Sequence, residues 1–402
     1  MAAEALSCPT KAFPISYLSL PLSTKKIPSS ALLPLVDKMA KHLGTWQACL
    51  LSRGERLALV HHVLSALPVH LLLAMALAPS ILKLVNRLIH DFLWHGRKEP
   101  RAGNCLVNWP RVCRPLDLGG LGIRDIQRTG LSLRVRWLWL RVTDPSRPWH
   151  HLHLPEDAAT RDIFRASATW HVGNGQTCRF WADHWLDGKS VAELAPNLIN
   201  LVPRWHRSKR LVHEALPNRA WISDIRGALG IAATVEYIQL WRRLLHVSLS
   251  ADLDRICWRW IERGTYSASS CYRALFQGSI ADHDWRLTWK GWAPTDAKLF
   301  LWLAKLDRCW TAERLVKRGL DHPPCCVLCD EGTKDIHHLL AACVFSREVW
   351  HRTLAWCKLT VHPPDDNLTL YDWWPDAATS APCATQSIGF DRPSVSDNKS
   401  IS

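Results

Sequence analysis

Three cysteines and one histidine stand close together in the last fifth of the sequence, at a spacing that constrains how their segment folds. They form the pattern C-x2-C-x8-H-x4-C and are Cys326, Cys329, His338 and Cys343. A Cys-x-x-Cys pair can place both sulfur atoms on one metal from a single tight turn, and residues four or five apart lie close together on a short helix. Four nitrogen and sulfur ligands without a carboxylate favour a closed, tetrahedral, structural zinc site.

The spacing alone leaves alternatives open. The chain has 14 cysteines, so the four residues could also be a chance cluster of buried side chains that bind no metal. The register is open as well, because Cys325 precedes Cys326 and His337 precedes His338. The remaining cysteines are scattered without a paired framework, and the N-terminal segment lacks the basic and apolar regions of a signal peptide. We therefore predict a reducing environment, nuclear or cytoplasmic, and no secretion.

The segment from Cys326 to Trp350 resembles the zinc-binding domain that follows the polymerase in plant non-LTR retrotransposon reverse transcriptases. In that family an acidic or Thr-containing linker leads to His-Leu-Phe/Leu-x-x-Cys, then to a short polar stretch and a Trp, and the same order is found here. The family spacing favours Cys326 and His338 over their neighbours as ligands. The resemblance implies zinc as the cofactor.

Shorter motifs extend this resemblance from about residue 13 to Trp374. The first is similar to the element that ends the polymerase palm, although Ser19 stands where the family usually has Gly. On this resemblance the sequence begins where the palm ends, and full-length relatives continue toward a ribonuclease H-like region. The motifs are Phe13-Pro-Ile-Ser-Tyr17-Leu-Ser-Leu-Pro21-Leu22, Gly119-Gly120-Leu-Gly122-Ile-Arg124-Asp125, Trp181-Ala-Asp183-His-Trp185, Gly264-Thr-Tyr266-Ser267 and Asp372-Trp373-Trp374.

Hydrophobic periodicity and the resemblance together predict an α+β fold that is mostly α-helical. We expect a thumb-like helical region at 13–150, an α+β connecting region at 151–250 and the reverse transcriptase zinc-binding domain at 251–360. Residues 375–402 have few large apolar side chains, so we expect a disordered tail there.

Three local features are also predicted. Ser52 and Glu55 have the spacing of a capping box, which would begin an apolar helix that Pro68 ends. Because Pro68 interrupts the apolar stretch 57–77 and three histidines lie within it, we expect buried helices there and no membrane span. The Gly173-Asn-Gly175 sequence predicts a β-hairpin over 170–181.

The sequence lacks the carboxylates of a polymerase. Such enzymes hold two divalent metals with a Tyr-x-Asp-Asp hairpin and one earlier Asp, and no Tyr-x-Asp-Asp is present. The sole Asp-Asp pair, Asp365-Asp366, follows the zinc motif and is preceded by two prolines. Asp183 has no carboxylate partner at a recognisable spacing, which favours a structural role. We predict no catalytic residues, no polymerase activity and no small-molecule substrate.

Positive charge is concentrated in the first part of the chain. The net charge is +14, and residues 1–150 contain 20 Lys and Arg against 8 Asp and Glu. A nucleic-acid partner, DNA or RNA, would therefore bind there through phosphate contacts that do not depend on base sequence. The alternatives are ordinary solvated charge and an inert relic or scaffold whose zinc site only stabilises the fold; a contiguous basic face would favour binding. The candidates are Lys25, Lys26, Arg53, Arg56, Arg134 and Arg136.

Overall fold

The computed structural model is mostly helical, as predicted, and the strands among the residues that it describes form two small antiparallel sheets. The residues form two compact units, and neither unit is continuous in sequence. The first unit comprises 1–68, 78–125 and 278–402, and the second comprises 69–77 and 126–277. Within these ranges the structure describes residues 12–18, 20–25, 27–43, 50–96, 105–151, 157–321, 325–330, 335–364 and 369–380.

These units cut across the consecutive segments predicted from sequence. Residues 251–277, which we placed in the zinc-binding domain, pack within the second unit, and residues 278–360 pack within the first. The predicted segments were functional modules and not packing units, so their boundaries remain a prediction.

The first unit contains one of the two small sheets. Strand β1 (Ile15–Tyr17) pairs with strand β2 (Leu20–Leu22) in antiparallel register, with Ile15 opposite Leu22. Within the described part of this unit, the α-helices are Leu33–His42, Arg53–Leu59, Pro79–His95, Trp109–Val112, Trp285–Trp289, Thr295–Lys305, Ala312–Val316, Val344–Trp356 and Leu370–Ser380.

The predicted capping box is confirmed. The Glu55 N–H donates to Ser52 Oγ at 3.2 Å, and the Ser52 N–H donates to the Glu55 carboxylate at 2.7 Å. The α-helix that begins there ends at Leu59, so it is shorter than predicted. A π-helical turn, in which hydrogen bonds join residues five apart, follows over Val60–Leu64. The Ser65 hydroxyl donates to the Val60 carbonyl and thereby competes with regular helical bonding. Among the described residues, no helix has both the length and the apolar character needed to span a membrane.

The second unit surrounds a core rich in tryptophan. Trp181, Trp221 and Trp258 are almost completely buried, which agrees with the large apolar area that such rings remove from water. The α-helices among its described residues are Val69–Ala74, Ile126–Thr143, Ala158–Ser167, Val191–Leu194, Arg204–Lys209, Val212–Ala215, Ile231–Leu244 and Ala268–Ala274.

The predicted hairpin over 170–181 is wrong. Strand β3 (Ala168–His171) instead pairs with the distant strand β4 (Arg255–Trp258), and Ala168 lies opposite Trp258. The chain after β3 turns away because the Asp254 carboxylate, one residue before β4, accepts hydrogen bonds from backbone N–H groups of the loop. The donors are the N–H groups of Gly173, Gly175, Thr177 and Cys178, at 2.8 to 3.2 Å.

The prediction of disorder does not hold for the first residues of the predicted tail. Helix Leu370–Ser380 includes the first six residues of that segment, because Leu370, Trp373 and Ala377 recur at helical spacing and are buried. The ring of Trp373 lies 5.1 Å from that of Trp350, centroid to centroid. The rest of the predicted tail, 381–402, lies outside the described residues.

Candidate metal centre

A tight turn presents the first two candidate ligands. The Asp330 N–H donates to the Cys326 carbonyl at 2.7 Å, which closes the chain into a single turn around Cys329. Asp330 itself has a φ of +57°, in the left-handed region that Asp tolerates better than most residues. The turn therefore brings both cysteine side chains to one side, as the Cys-x-x-Cys spacing predicts.

A wide, π-helical turn presents the second pair of candidate ligands, His338 and Cys343. The Cys343 N–H donates to the His338 carbonyl at 2.7 Å, a bond between residues five apart instead of four. In a regular α-helix, residues five apart differ by about 140° around the axis, so His338 and Cys343 would diverge. The wider turn corrects this difference. The regular short helix that we predicted for this pair is therefore a wide turn in the structure.

The four candidate side chains converge on one point. The possible ligand atoms of Cys326, Cys329, His338 and Cys343 all lie within 4.8 Å of one another. Cys326 and Cys343 are buried, and Cys329 and His338 are half-buried. Cys329 Sγ and His338 Nε2 are 3.4 Å apart. The cluster thus shields two ligands from water and leaves a face of the other two near the surface.

These separations fit a tetrahedral zinc ion. Ideal bond lengths of about 2.3 Å to sulfur and about 2.0 Å to nitrogen place tetrahedral sulfur and nitrogen ligands about 3.5 Å apart and two sulfur ligands about 3.8 Å apart. The pair of Cys329 and His338 already has a separation close to this value. The limit of 4.8 Å on the other separations is about 1 Å above the ideal distance between two sulfur ligands. With four protein ligands, no coordination position remains for a reactive water, so the chemistry is structural.

Cys326 is prepared to bind a metal as a thiolate. Burial disfavours the charged form, but hydrogen bonds from the backbone N–H groups of Leu328 and Cys329 and from the His338 ring outweigh it and lower the pKa of Cys326 to about 7. The thiolate is the form that coordinates a metal. The turn therefore supplies part of the stabilisation that the anionic ligand needs.

Three residues hold the wide turn in place, and the sequence analysis assigned none of them a role at the metal site. The His338 N–H donates to the Asp335 carboxylate at 2.6 Å. The Ser346 hydroxyl donates to the Leu339 carbonyl at 2.6 Å, and the Trp350 indole N–H donates to the Leu340 carbonyl at 2.8 Å. Asp335, three residues before His338, has the spacing of a helix cap and could have been found from it.

The cluster also distinguishes between the two possible registers. Among the described residues, the group whose ligand atoms converge contains Cys326 and His338, and neither Cys325 nor His337 belongs to it. The Cys325 side chain is exposed. The geometry therefore agrees with the register that the family resemblance favours.

The candidate nucleic-acid contacts are divided between the two units and differ in exposure. Lys25 and Arg53 are exposed in the first unit, where Arg56 is half-buried, and Arg136 is exposed in the second unit. Lys26 lies outside the described residues. Five of the six candidates can thus be placed, and four of these remain compatible with a surface contact.

Arg134 differs from the others, and the structure argues against its predicted role. Its side chain is only 12% exposed and pairs with the Asp157 carboxylate at 3.0 Å. Its guanidinium also donates to the carbonyls of Leu72 and Met75, each at 3.4 Å. The charge is therefore neutralised inside the second unit, where it joins two helices instead of facing a solvent-exposed phosphate.

Comparisons with known proteins agree with the metal site. Residues 266–350 match the family described as zinc-binding in reverse transcriptase, a range that includes all four converging residues. A protein of Arabidopsis thaliana named "Putative ribonuclease H protein" is 26% identical over 366 residues, which are 83% of this chain and 58% of that protein. The chain thus spans less than two thirds of this relative. No solved structure matches. The predicted cofactor, zinc, is confirmed by the family match together with the cluster.

Proposed function

We propose that this chain is a zinc-stabilised, nucleic-acid-binding protein related to the reverse transcriptases of plant non-LTR retrotransposons, without polymerase activity of its own. The observation that carries the proposal is the Cys3His cluster, which lies inside the segment that matches the reverse transcriptase zinc-binding family. Zinc bound by Cys326, Cys329, His338 and Cys343 stabilises the fold of its segment, and nucleic acid binds elsewhere through phosphate contacts. We propose a nuclear or cytoplasmic location.

The uneven distribution of charge supports binding through the first part of the chain. Residues 1–150 have a net charge of +12, whereas residues 281–360, around the zinc cluster, have a net charge of only +2. Phosphate contacts require cations, and the zinc-binding segment has few that exceed its acidic residues. The alternative is a scaffold that binds no nucleic acid, in which zinc only maintains a small fold.

The first prediction is a salt-dependent affinity for nucleic acid. If Lys25, Arg53 and Arg136 each contact one phosphate, raising the salt from about 50 to about 200 mM should weaken binding to duplex DNA roughly 40-fold. Replacing any one of them with Gln should reduce the slope of log K against log salt by about 0.9. Fluorescence anisotropy with DNA, RNA and hybrid duplexes of unrelated sequences measures both quantities.

A matched control for this prediction lies in the zinc-binding segment. Arg352 is 79% exposed and pairs with Glu348 on the same helix, so Arg352→Gln should leave both the affinity and the slope unchanged. A chain that binds no duplex at low salt would favour the scaffold alternative. An Arg352→Gln effect as large as that of Arg53→Gln would contradict the assignment of binding to the first part of the chain.

The second prediction is the absence of template-directed synthesis. The sequence contains no Tyr-x-Asp-Asp, and its sole Asp-Asp pair follows the zinc motif. Polymerases of this type need several carboxylates to hold two catalytic metals, so we expect no nucleotide incorporation with Mg²⁺ or Mn²⁺. A primer-extension assay on the purified chain tests this expectation. Extension that disappears when a carboxylate of this chain is replaced would contradict it.

A further inference from the structure

The second unit contains a cavity that the zinc site and the proposed phosphate contacts leave unexplained. Its volume is about 440 Å³, within the range of small-molecule binding sites. The end of helix Ile126–Thr143, helix Ala158–Ser167 and the loop that follows β3 form its walls. The cavity lies entirely within one compact unit.

Arginine side chains dominate the polar part of this cavity. Arg161 and Arg165 are one helical turn apart, and Arg179 faces the same space from the loop. The structure records no ion pair or side-chain hydrogen bond for these three guanidinium groups within the residues that it describes. Like charges one turn apart on a helix repel each other, so this arrangement is favoured when an anion lies between them.

The carboxylate in the lining offsets only part of this positive charge, because Asp183 interacts electrostatically with both Arg165 and Arg179 and is one acid among several arginines. Asp183 is the sole acidic residue among the described lining residues, and its Oδ2 accepts the Arg179 backbone N–H at 2.8 Å. The loop is fixed from the other side, because the Thr177 N–H and hydroxyl both donate to the Asp254 carboxylate at 2.9 Å. The cationic groups of the cavity are therefore held on a supported loop and on a helix, and they exceed the acidic groups.

The rest of the cavity is apolar. Leu138, Phe164 and Trp170 contribute to its walls, and Phe164 lies directly beside Arg165 on the same helix. Guanidinium groups bind phosphate oxygens in pairs, and aromatic and guanidinium planes stack on nucleobases. An anion with a planar, weakly polar body fits this combination better than a bare inorganic ion does.

We propose that this cavity binds a phosphorylated nucleotide, with the phosphate between Arg161, Arg165 and Arg179 and the base against the apolar wall. The nucleotide is either free or the phosphorylated end of a single strand, since both present the same chemistry. The choice of a nucleotide rests on the proposed nucleic-acid function. It adds a small-molecule ligand to our expectation of no small-molecule substrate, because the cavity was not evident from the sequence.

Calorimetric titration of the zinc-loaded full chain tests this proposal. Adenosine 5′-monophosphate should bind more tightly than inorganic phosphate, and adenosine should bind weakest of the three. Arg165→Gln and Arg179→Gln should each weaken binding of the monophosphate about 10-fold, the usual loss when one charge-assisted contact is removed. Arg242→Gln is the matched control, because Arg242 is exposed in the same unit and does not line the cavity.

The two sources of ligand are separated with a 5′-phosphorylated single-stranded oligonucleotide and its 5′-hydroxyl form. Tighter binding of the phosphorylated form supports a strand end, and binding of the mononucleotide alone supports a free nucleotide. No binding of the monophosphate at about 1 mM, or equal binding by wild type and Arg165→Gln, overturns the proposal. Thermal unfolding of each variant checks that it is folded.

The same titrations keep this inference separate from the proposed function. If the wild-type chain binds duplex but not the monophosphate, the cavity assignment alone is overturned. If the wild-type chain binds the monophosphate but not duplex, the proposed function alone is overturned. Arg179→Gln, on an exposed loop position, provides a second variant if Arg165→Gln fails to fold.

Discussion

Replacing Cys329 with serine is expected to remove zinc from the chain and to unfold the segment around it. Structural zinc sites of this kind contribute roughly 10–16 kcal/mol of apparent binding free energy, which becomes folding free energy. One of four ligands accounts for about 3 kcal/mol of this, so the affinity should fall at least about 100-fold. Elemental analysis after dialysis against a chelator should give one zinc per chain for the wild type and none for Cys329→Ser.

The neighbouring cysteine provides a matched control. Cys325 is exposed, lies in the same segment and does not belong to the converging group, so Cys325→Ser should keep one zinc per chain. Hydrogen exchange should report faster exchange in helix Val344–Trp356 for Cys329→Ser only, because Trp350 and Ser346 connect that helix to the wide turn. Zinc retained by Cys329→Ser at wild-type affinity, or lost by Cys325→Ser, would contradict the ligand assignment.

The metal site could be predicted from sequence because its geometry is local. Cys326 and Cys329 are brought together by one turn, and His338 and Cys343 by another, so their spacing contains most of the information. What the spacing could not supply was the form of the second turn. Whether residues five apart meet depends on a hydrogen bond between Cys343 and His338, and on Trp350 and Ser346 farther along the chain.

Long-range partners explain what was missed in the second unit. Gly173 and Gly175 made a local hairpin plausible, but the true partner of β3 is more than 80 residues away. The nucleic-acid contact predicted for Arg134 depends in a similar way on information that is not local, because it requires that side chain to be exposed, and the side chain is only 12% exposed. The Asp157 carboxylate that neutralises it caps the N-terminus of another helix, Ala158–Ser167. Charge counted along a sequence does not distinguish a solvent-exposed arginine from one that joins two elements.

Asp254→Ala should destabilise the second unit more than any substitution of an exposed charge. The carboxylate accepts hydrogen bonds from the N–H groups of Gly173, Gly175, Thr177 and Cys178 and from the Thr177 hydroxyl. Hydrogen bonds to a charged group contribute about 1.5–3 kcal/mol each, and water satisfies some of the donors in the variant. We expect a loss of about 3 kcal/mol in the free energy of unfolding, measured by urea denaturation with tryptophan fluorescence as the signal.

The Asn variant and the pH dependence test the mechanism of this loss. Asp254→Asn keeps the shape but has only one acceptor oxygen, so it should lose about half as much as Asp254→Ala. Asp252→Asn, at an exposed neighbouring position, should change little. Partial burial tends to raise the pKa of Asp254, but the N–H donors, led by that of Thr177, hold this pKa below its ordinary value of 3.8. The contribution of Asp254 to stability is therefore complete above that value and is lost as the pH falls through the lowered pKa. If the difference in stability between the wild type and Asp254→Asn did not shrink in acid, the carboxylate would not be the group that holds this loop.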